Sequence, residues 1–210
     1  MDVQFVMTAF VTLFVVIDPL GMTPLFVALT QGMTAEARRN IALRSCAVAL
    51  VVLTLFAVFG DKVLGYAGIS MPAFRVAGGI LLFLTALDML FERRTKRRED
   101  QADKGHSDPD DDPSVFPLAI PLIAGPGAIA SMILLTGQHP GIEGLFVTLG
   151  VMVSVIALVF VLFLASPLLE RAMGQTGTNV VTRILGMLLA ALSVQFVMDG
   201  LAAFGIAGPS

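Results

Sequence analysis

The chain has 210 residues, of which 56% are hydrophobic and 14% charged, and its formal net charge at pH 7 is −3. A mean hydropathy of +0.88 leaves too little polar surface for a soluble domain of this length, and the near-neutral charge argues against a nucleic-acid partner. The composition therefore predicts a protein whose solvent is the lipid bilayer.

Long intervals without charged side chains mark the candidate membrane spans. A helix crosses the hydrocarbon core in about 20 residues, and the uncharged intervals accommodate six such helices. Their predicted ranges are 4–30, 38–60, 72–91, 114–136, 143–168 and 181–203. The opening residues carry no cationic segment of the kind that starts a signal peptide, so we expect the first span to remain in the mature protein.

The first predicted span contains an interruption, in the sequence VIDPLGMTP. It combines the carboxylate of Asp18 with Pro19, Gly21 and Pro24. Proline lacks an amide hydrogen and collides with the preceding turn, so we expect helical bonding to be disrupted between the two prolines. A carboxylate near the bilayer centre costs about 3 kcal/mol when unpaired and usually marks an ion, proton or substrate site. We predict that Asp18 neutralises a substrate ammonium or takes up a coupling proton, and a proline kink used only for packing is the alternative.

Four further polar residues are candidates for a coupling or substrate path. For Asp88, which precedes a basic cluster, the alternative is a role in capping the cytoplasmic end of the third span. For Asp199, the alternative is simple proximity to the outer interface. Thr85 and Gln195 are neutral and are also suited to hydrogen bonds between helices. The single cysteine, Cys46, excludes an internal disulfide and a cysteine metal site.

A hydrophilic segment, RRTKRREDQADKGHSDPDDDP, divides the chain into two halves. The predicted organisation is a first three-helix repeat at 1–92, a hydrophilic cytoplasmic linker at 93–113 and a second, inverted three-helix repeat at 114–210. PLGMTP in the first half matches PLIAGP in the second, and RVAGGILLFL matches RILGMLLAAL, at offsets of 102 and 108 residues. Three spans are an odd number, so the second half enters the membrane from the opposite side, as in many secondary transporters.

The predicted fold class is therefore an all-α membrane protein with six transmembrane helices in two inverted-topology three-helix repeats, the first and fourth helices being discontinuous. Backbone groups freed at a break in the bilayer must face protein or a cavity. A half-helix that begins there suits a carboxylate, and one that ends there suits an ammonium or a cation. Two such breaks together suit a zwitterion.

The basic residues predict the orientation of the spans. Of the 13 lysines and arginines, eleven fall after the first, third and fifth spans: Arg38, Arg39, Arg44, Arg93, Arg94, Lys96, Arg97, Arg98, Lys104, Arg171 and Arg183. Only Lys62 and Arg75 fall on the other side. By the positive-inside rule, both termini should face out of the cytoplasm.

Three segments resemble the hallmark segments of a known family: VIDPLGMTPLFVALT, FRVAGGILLFLTALDML and PLAIPLIAGPGAIASMILL. They are similar to those of the MarC family of bacterial and archaeal inner-membrane proteins, which belongs to the LysE-like exporter superfamily. The resemblance covers nearly the whole chain apart from the linker. It implies six spans in two inverted repeats and, from the branch called SnatA, transport of small neutral amino acids such as glycine and alanine, coupled to a cation gradient. One departure is Met22, where family members commonly have asparagine.

The resemblance also implies a substrate site at the two proline motifs. Its residues are Asp18, Pro19, Gly21, Thr23, Pro24, Ile123, Ala124, Gly125, Pro126 and Gly127. The expected function is a secondary transporter that works by alternating access with a proton or sodium gradient, and the alternative is a LysE-like exporter of another small metabolite or toxic compound. No nucleotide-binding signature, paired histidines or activated nucleophile is present, so we expect no enzymatic activity, cofactor or metal. The oligomeric state is left open.

Overall fold

The structure, a computed structural model, describes residues 3–93 and 112–205. This part of the chain forms helices and contains no strand. In chain order the helices are α1 (Val3–Ile17), α2 (Pro19–Leu29), α3 (Ala35–Tyr66), α4 (Met71–Leu90), α5 (Ser114–Ile123), α6 (Pro126–Gln138), α7 (Ile142–Leu164) and α8 (Ser166–Ala203). The interior of the predicted linker, 94–111, lies outside the described residues.

The predicted all-helical membrane protein is confirmed. Among the described residues, five segments are long and apolar enough to cross a membrane: 3–29, 35–66, 71–90, 142–164 and 176–203. Helices α5 and α6 are bent by 53° at their junction and make a sixth candidate if they count as one span. Helix α3 extends beyond the predicted 38–60 at both ends, from Ala35 to Tyr66. At its start the Thr34 hydroxyl caps the helix by accepting from the Ala37 amide at 3.2 Å.

The first span leaves helical geometry at one residue, Asp18, between α1 and α2. Its backbone is left-handed, with φ 55 and ψ 65. A following proline disfavours the right-handed helical region, and aspartate tolerates the left-handed one. Pro19 then begins α2, where its missing amide hydrogen costs nothing. The expected disruption between Pro19 and Pro24 is therefore wrong, because α2 continues through Pro24 and the break lies before Pro19.

The fourth predicted span is less regular than the first. The backbone of α5 is extended at Phe116 and Ile120, which directly precede Pro117 and Pro121. A short non-helical link formed by Ala124 and Gly125 separates α5 from α6. In this half, the break therefore does fall between Pro121 and Pro126.

Helices α4 and α8 form the most extensive helix pair, and glycines bring their backbones together. A Cβ atom built on Gly79 would lie 2.8 Å from the Ser193 carbonyl oxygen, and one on Gly200 would lie 3.0 Å from the Pro72 carbonyl oxygen. Small residues permit this close approach, which is a main source of helix association in membranes. Helix α8 itself is interrupted at Gly174, whose φ of 59 and ψ of −177 are essentially restricted to glycine.

Contacts between segments distant in the chain define the two ends of the helix bundle. At one end, which we call the basic end, three polar contacts join distant segments: Arg44 to Asp112 (2.8 Å), Arg183 to Glu92 (2.6 Å) and Arg38 to Ser166 (3.4 Å). At the other end, the Phe5 ring meets the His139 ring edge-on with centroids 4.2 Å apart. The segments that follow the first, third and fifth spans therefore meet at the basic end.

Candidate functional site

Asp18 is buried, with 1% of its surface exposed, and its carboxylate caps α2. The Asp18 Oδ1 atom accepts a hydrogen bond from the Gly21 amide at 3.1 Å. Its own amide donates to the Phe14 carbonyl at 2.9 Å, and its carbonyl accepts from the Met22 amide at 3.1 Å. The interruption is therefore closely bonded on both sides, and it places a carboxylate at the positive end of a helix dipole.

Gly21 makes room for this carboxylate. A Cβ atom on Gly21 would overlap the Asp18 carboxylate oxygen and lie 2.8 Å from its Cγ. Gly21 is a helical residue of α2, so its lack of a side chain matters more here than its conformational freedom. The neighbouring predicted site residues Pro19 and Thr23 are buried, and the Thr23 hydroxyl donates to the Pro19 carbonyl at 3.1 Å.

The second break is held by backbone contacts. Ile123 and Ala124 are buried, Gly125 is half-buried and Pro126 is exposed. A Cβ atom on Gly125 would lie 2.5 Å from the Pro121 carbonyl oxygen, so only glycine fits. The first turn of α6 has no side-chain cap, which leaves its amide groups to other partners.

The surroundings of the two breaks meet at Gly127. A Cβ atom on Gly127 would lie 3.1 Å from Val16 Cγ1, two residues before Asp18, and 3.7 Å from Thr85 Oγ1. Thr85, one of the predicted path residues, donates its hydroxyl to the Leu81 carbonyl at 3.0 Å. The structure thus brings Thr85 next to the second proline motif and brings that motif against the first span.

The other predicted path residues are placed differently. Asp88 is half-buried on α4, one turn beyond Thr85. Gln195 donates to the Asp199 carboxylate at 2.7 Å along α8. Because the adjacent Gly200 packs against the start of α4, Asp199 lies toward the end opposite the basic end.

A cavity of about 230 Å³ lies between α2 and the interruption of α8, and we call it the α2–α8 cavity. Its lining includes two predicted site residues, Thr23 and Pro24, together with Leu20, Leu169, Met173, Gly174 and Thr178. One water needs roughly 10–15 Å³ by this measure, and pockets for drug-sized ligands begin at about 300 Å³. The cavity therefore suits a small solute.

Among the described lining residues of the α2–α8 cavity, Thr23 and Thr178 carry polar side chains. Pro24 has no amide hydrogen, so it cannot give the Leu20 carbonyl its usual helical bond. The Thr178 hydroxyl donates to the Gly174 carbonyl at 3.0 Å. Sequence reasoning missed this wall, although the polar stretch MGQTGTN before the last span was a signal for it.

The comparisons with known proteins agree on one family. Residues 3–204 match the model of the MarC family integral membrane proteins. An Archaeoglobus fulgidus UPF0056 membrane protein is 37% identical over 95% of this chain and 93% of its own length. The corresponding values are 36%, 91% and 89% for YhcE of Escherichia coli, and 40%, 96% and 89% for MJ0972 of Methanocaldococcus jannaschii. No solved structure gives a significant match. The chain therefore belongs to the MarC family of integral membrane proteins.

Proposed function

We propose that the protein is a secondary transporter of small neutral amino acids such as glycine and alanine. It works by alternating access, is driven by a proton or sodium gradient and performs no enzymatic reaction. It resides in the bacterial or archaeal cytoplasmic membrane with both termini facing out. The observation that carries this proposal is the buried Asp18 carboxylate at an interrupted span, two residues from the cavity wall at Leu20. Ionisable groups at membrane depth are costly and usually mark transport sites.

The helix packing supports two inverted three-helix repeats, with α1–α2 and α5–α6 as discontinuous counterparts. Helices α3 and α7 pack together, as do α4 and α8, so each of these helices meets its own counterpart. The remaining contacts also occur in matching pairs when each helix is exchanged for its counterpart. The α3–α5 contact matches the α1–α7 contact, the α2–α8 contact matches the α4–α6 contact, and the α2–α7 contact matches the α3–α6 contact. The contacts of α1 with α6 and α8 have no counterpart of similar extent, so the symmetry is approximate.

Atomic contacts between α4 and α8 also support this symmetry. A Cβ atom on Gly79 would lie 2.7 Å from Val197 Cγ2, and one on Gly186 would lie 3.0 Å from Met89 Cβ. Met89 and Val197 are separated by 108 residues, the offset between the two matching sequence motifs that begin at Arg75 and Arg183, and the two glycines are separated by 107. This pairing supports a twofold axis through the α4–α8 interface.

The two breaks offer complementary chemistry for a zwitterion. Asp18 supplies the negative charge that an ammonium group requires. The uncapped amides at the start of α6 supply donors and a positive dipole end for a carboxylate. The surroundings of Gly21 and Gly125 are closely packed, since a Cβ atom on either would meet the Asp18 carboxylate or the Pro121 carbonyl oxygen, and this close packing favours small neutral amino acids.

The α2–α8 cavity is the access route in this proposal. Because its lining includes the interruption of α8 near the basic end, it opens toward the cytoplasm if that end faces inward. Movement at the left-handed Asp18 and at Gly174 would close this route and open the opposite one. In the proton-coupled version Asp18 takes up the proton, and in the sodium-coupled version carbonyl groups at the breaks hold the ion.

One observation favours a second candidate, an exporter of another small metabolite or toxic compound. Leu20, Leu169 and Met173 give the α2–α8 cavity a largely apolar wall, and methionine adapts to solutes of different shape. Thermal-shift measurements across a metabolite panel distinguish the two candidates, since the exporter predicts stabilisation by a less polar compound and not by glycine or alanine.

Flux measurements test the main proposal directly. We expect liposomes that contain the purified protein to accumulate labelled glycine or alanine, with faster uptake under an imposed proton or sodium gradient. Dissipating that gradient with an ionophore should return the rate of uptake to the value measured without a gradient. Uptake equal to that of protein-free liposomes, from protein shown to be folded, would contradict transport of these amino acids.

Accessibility of the cavity gives a second prediction. Cys46 is the only cysteine and it is buried, so an introduced thiol can be labelled selectively. We expect Thr178→Cys to react with a small impermeant maleimide from the basic-end side, and saturating alanine should slow the reaction. As a control, the exposed Asp61→Cys at the opposite end of α3 should label from the other side at a rate that alanine does not change. If alanine did not change the rate at which the maleimide labels Thr178→Cys, the cavity would not belong to the substrate path.

A further inference from the structure

A second cavity, of about 300 Å³, lies at the basic end between the start of α3 and the end of α7. We call it the α3–α7 groove. Its lining residues are Met33, Ala35, Arg38, Arg39, Phe163, Leu164 and Pro167. It shares no lining residue with the α2–α8 cavity, so its function need not depend on the proposed transport site.

Two guanidinium groups give this groove a positive charge. Arg38 is half-buried and Arg39 is exposed. The Arg38 guanidinium lies 5.9 Å from the centre of the Phe26 ring, and its Nη2 atom donates to the Ser166 hydroxyl at 3.4 Å. These contacts hold the Arg38 guanidinium against the wall, whereas Arg39 is exposed to an incoming ligand.

Among the residues that the structure describes, the lining of the groove includes no carboxylate. Glu36, in the first turn of α3, is exposed and does not belong to the lining. The positive end of the 32-residue helix α3 adds to the field of the two arginines. The groove is therefore complementary to an anion.

The opposite wall of the groove is apolar. Phe163 is buried and stacks on Phe26 with ring centroids 4.3 Å apart, which makes this part of the wall rigid. Leu164 is 45% exposed and is the last residue of α7. The uncharged run of α3 begins just after Arg44, so the groove lies where the hydrocarbon core gives way to the headgroup layer. A free inorganic anion would use the arginines and leave the apolar wall uncovered.

We propose that the α3–α7 groove binds an anionic phospholipid. Its phosphate group lies between Arg38 and Arg39, and an acyl chain lies along Leu164 and Pro167. Arginine binds phosphate oxygens through paired, charge-assisted hydrogen bonds, and basic pockets between membrane helices bind anionic headgroups. The bound lipid links the two repeats, because α3 belongs to the first and α7 to the second.

The experiment measures lipid binding to the intact, detergent-purified chain by native mass spectrometry and by thermal unfolding. We expect phosphatidylglycerol to give retained adducts and to raise the unfolding temperature, whereas phosphatidylcholine and inorganic phosphate do neither. Arg39→Gln should weaken the apparent affinity for phosphatidylglycerol by about tenfold, since it removes a charge-assisted interaction. Arg39→Lys keeps the charge and should lose less.

A matched control uses Lys62→Gln, which removes one exposed positive charge far from the groove and should leave phosphatidylglycerol binding unchanged. Equal stabilisation by phosphatidylcholine would overturn the proposal, because it would show that the headgroup charge is not recognised. Stabilisation by inorganic phosphate equal to that by phosphatidylglycerol would replace the lipid with a simple anion. If a folded Arg39→Gln variant bound phosphatidylglycerol with wild-type affinity, the lipid would not bind in the groove.

Discussion

Replacing Asp18 with asparagine is expected to abolish amino acid transport, or at least its response to the ion gradient, while the protein remains folded. Asparagine caps helices about as well as aspartate and also tolerates the left-handed conformation. Its amide oxygen can therefore keep the hydrogen bond to the Gly21 amide while the negative charge is removed. Flux of labelled alanine in liposomes, measured over a range of pH, and thermal unfolding of the same preparation check both halves of this expectation.

Two further variants separate the roles of Asp18. Asp18→Ala removes the cap as well as the charge, and the loss of the cap should cost about 1 kcal/mol of stability. Asp61→Asn removes an exposed carboxylate from α3 and should leave flux unchanged. Transport with normal pH dependence in Asp18→Asn would reduce Asp18 to a helix cap and remove the main support for the proposed function.

Replacing Gly125 with alanine is expected to destabilise the protein and to stop transport. The new methyl group would lie 2.5 Å from the Pro121 carbonyl oxygen, which belongs to the backbone and cannot rotate away. The link is also bonded on both sides, by Ala124 N to Ala119 O at 2.8 Å and by Ile129 N to Gly125 O at 3.0 Å. Overpacking of this kind costs about 1–3 kcal/mol, and thermal unfolding in detergent measures it.

Gly150→Ala is the matched control for this variant. Gly150 lies within α7, and a Cβ atom built on it meets nothing within 4 Å. Alanine is favoured over glycine inside a helix by roughly 0.5–1 kcal/mol, so this variant should be as stable as the original or more stable. If both variants unfolded at the same temperature, the close contact at the second break would not constrain the protein.

The two interruptions do not use proline in the same way. Pro19 follows the first break and Pro126 follows the second, so each begins a helix. In the aligned motifs, Pro121 is the counterpart of Pro19, and Pro24 is the counterpart of Pro126. These two counterparts differ, because Pro24 lies inside the continuous helix α2 whereas Pro121 lies inside the irregular helix α5. The first break carries its own capping carboxylate, while the second leaves its amides without a side-chain cap. This asymmetry is what gives the proposed site one negative and one positive pole.

The membrane class, the approximate spans and the second interruption, between Pro121 and Pro126, were predictable from the sequence, whereas the first lies at Asp18 and not between Pro19 and Pro24. A helix that crosses the bilayer needs a long apolar run, and such runs can be recognised in a single sequence. A proline also restricts the residue before it, and the extended Ile120 and left-handed Asp18 both obey this local rule. Family membership was likewise predictable from short segments around the same prolines.

The length and partners of each interruption were decided by the tertiary structure. Local chemistry does not reveal that Val16 and Thr85 lie beside Gly127, or that Arg44 bonds to Asp112. The α2–α8 cavity depends on Gly174, a residue distant from both proline motifs, and the α3–α7 groove depends on the packing of two helices from different halves. These features arise because hydrogen-bond partners and cavities are set by segments far apart in the chain, whereas hydropathy and proline geometry act within a few residues.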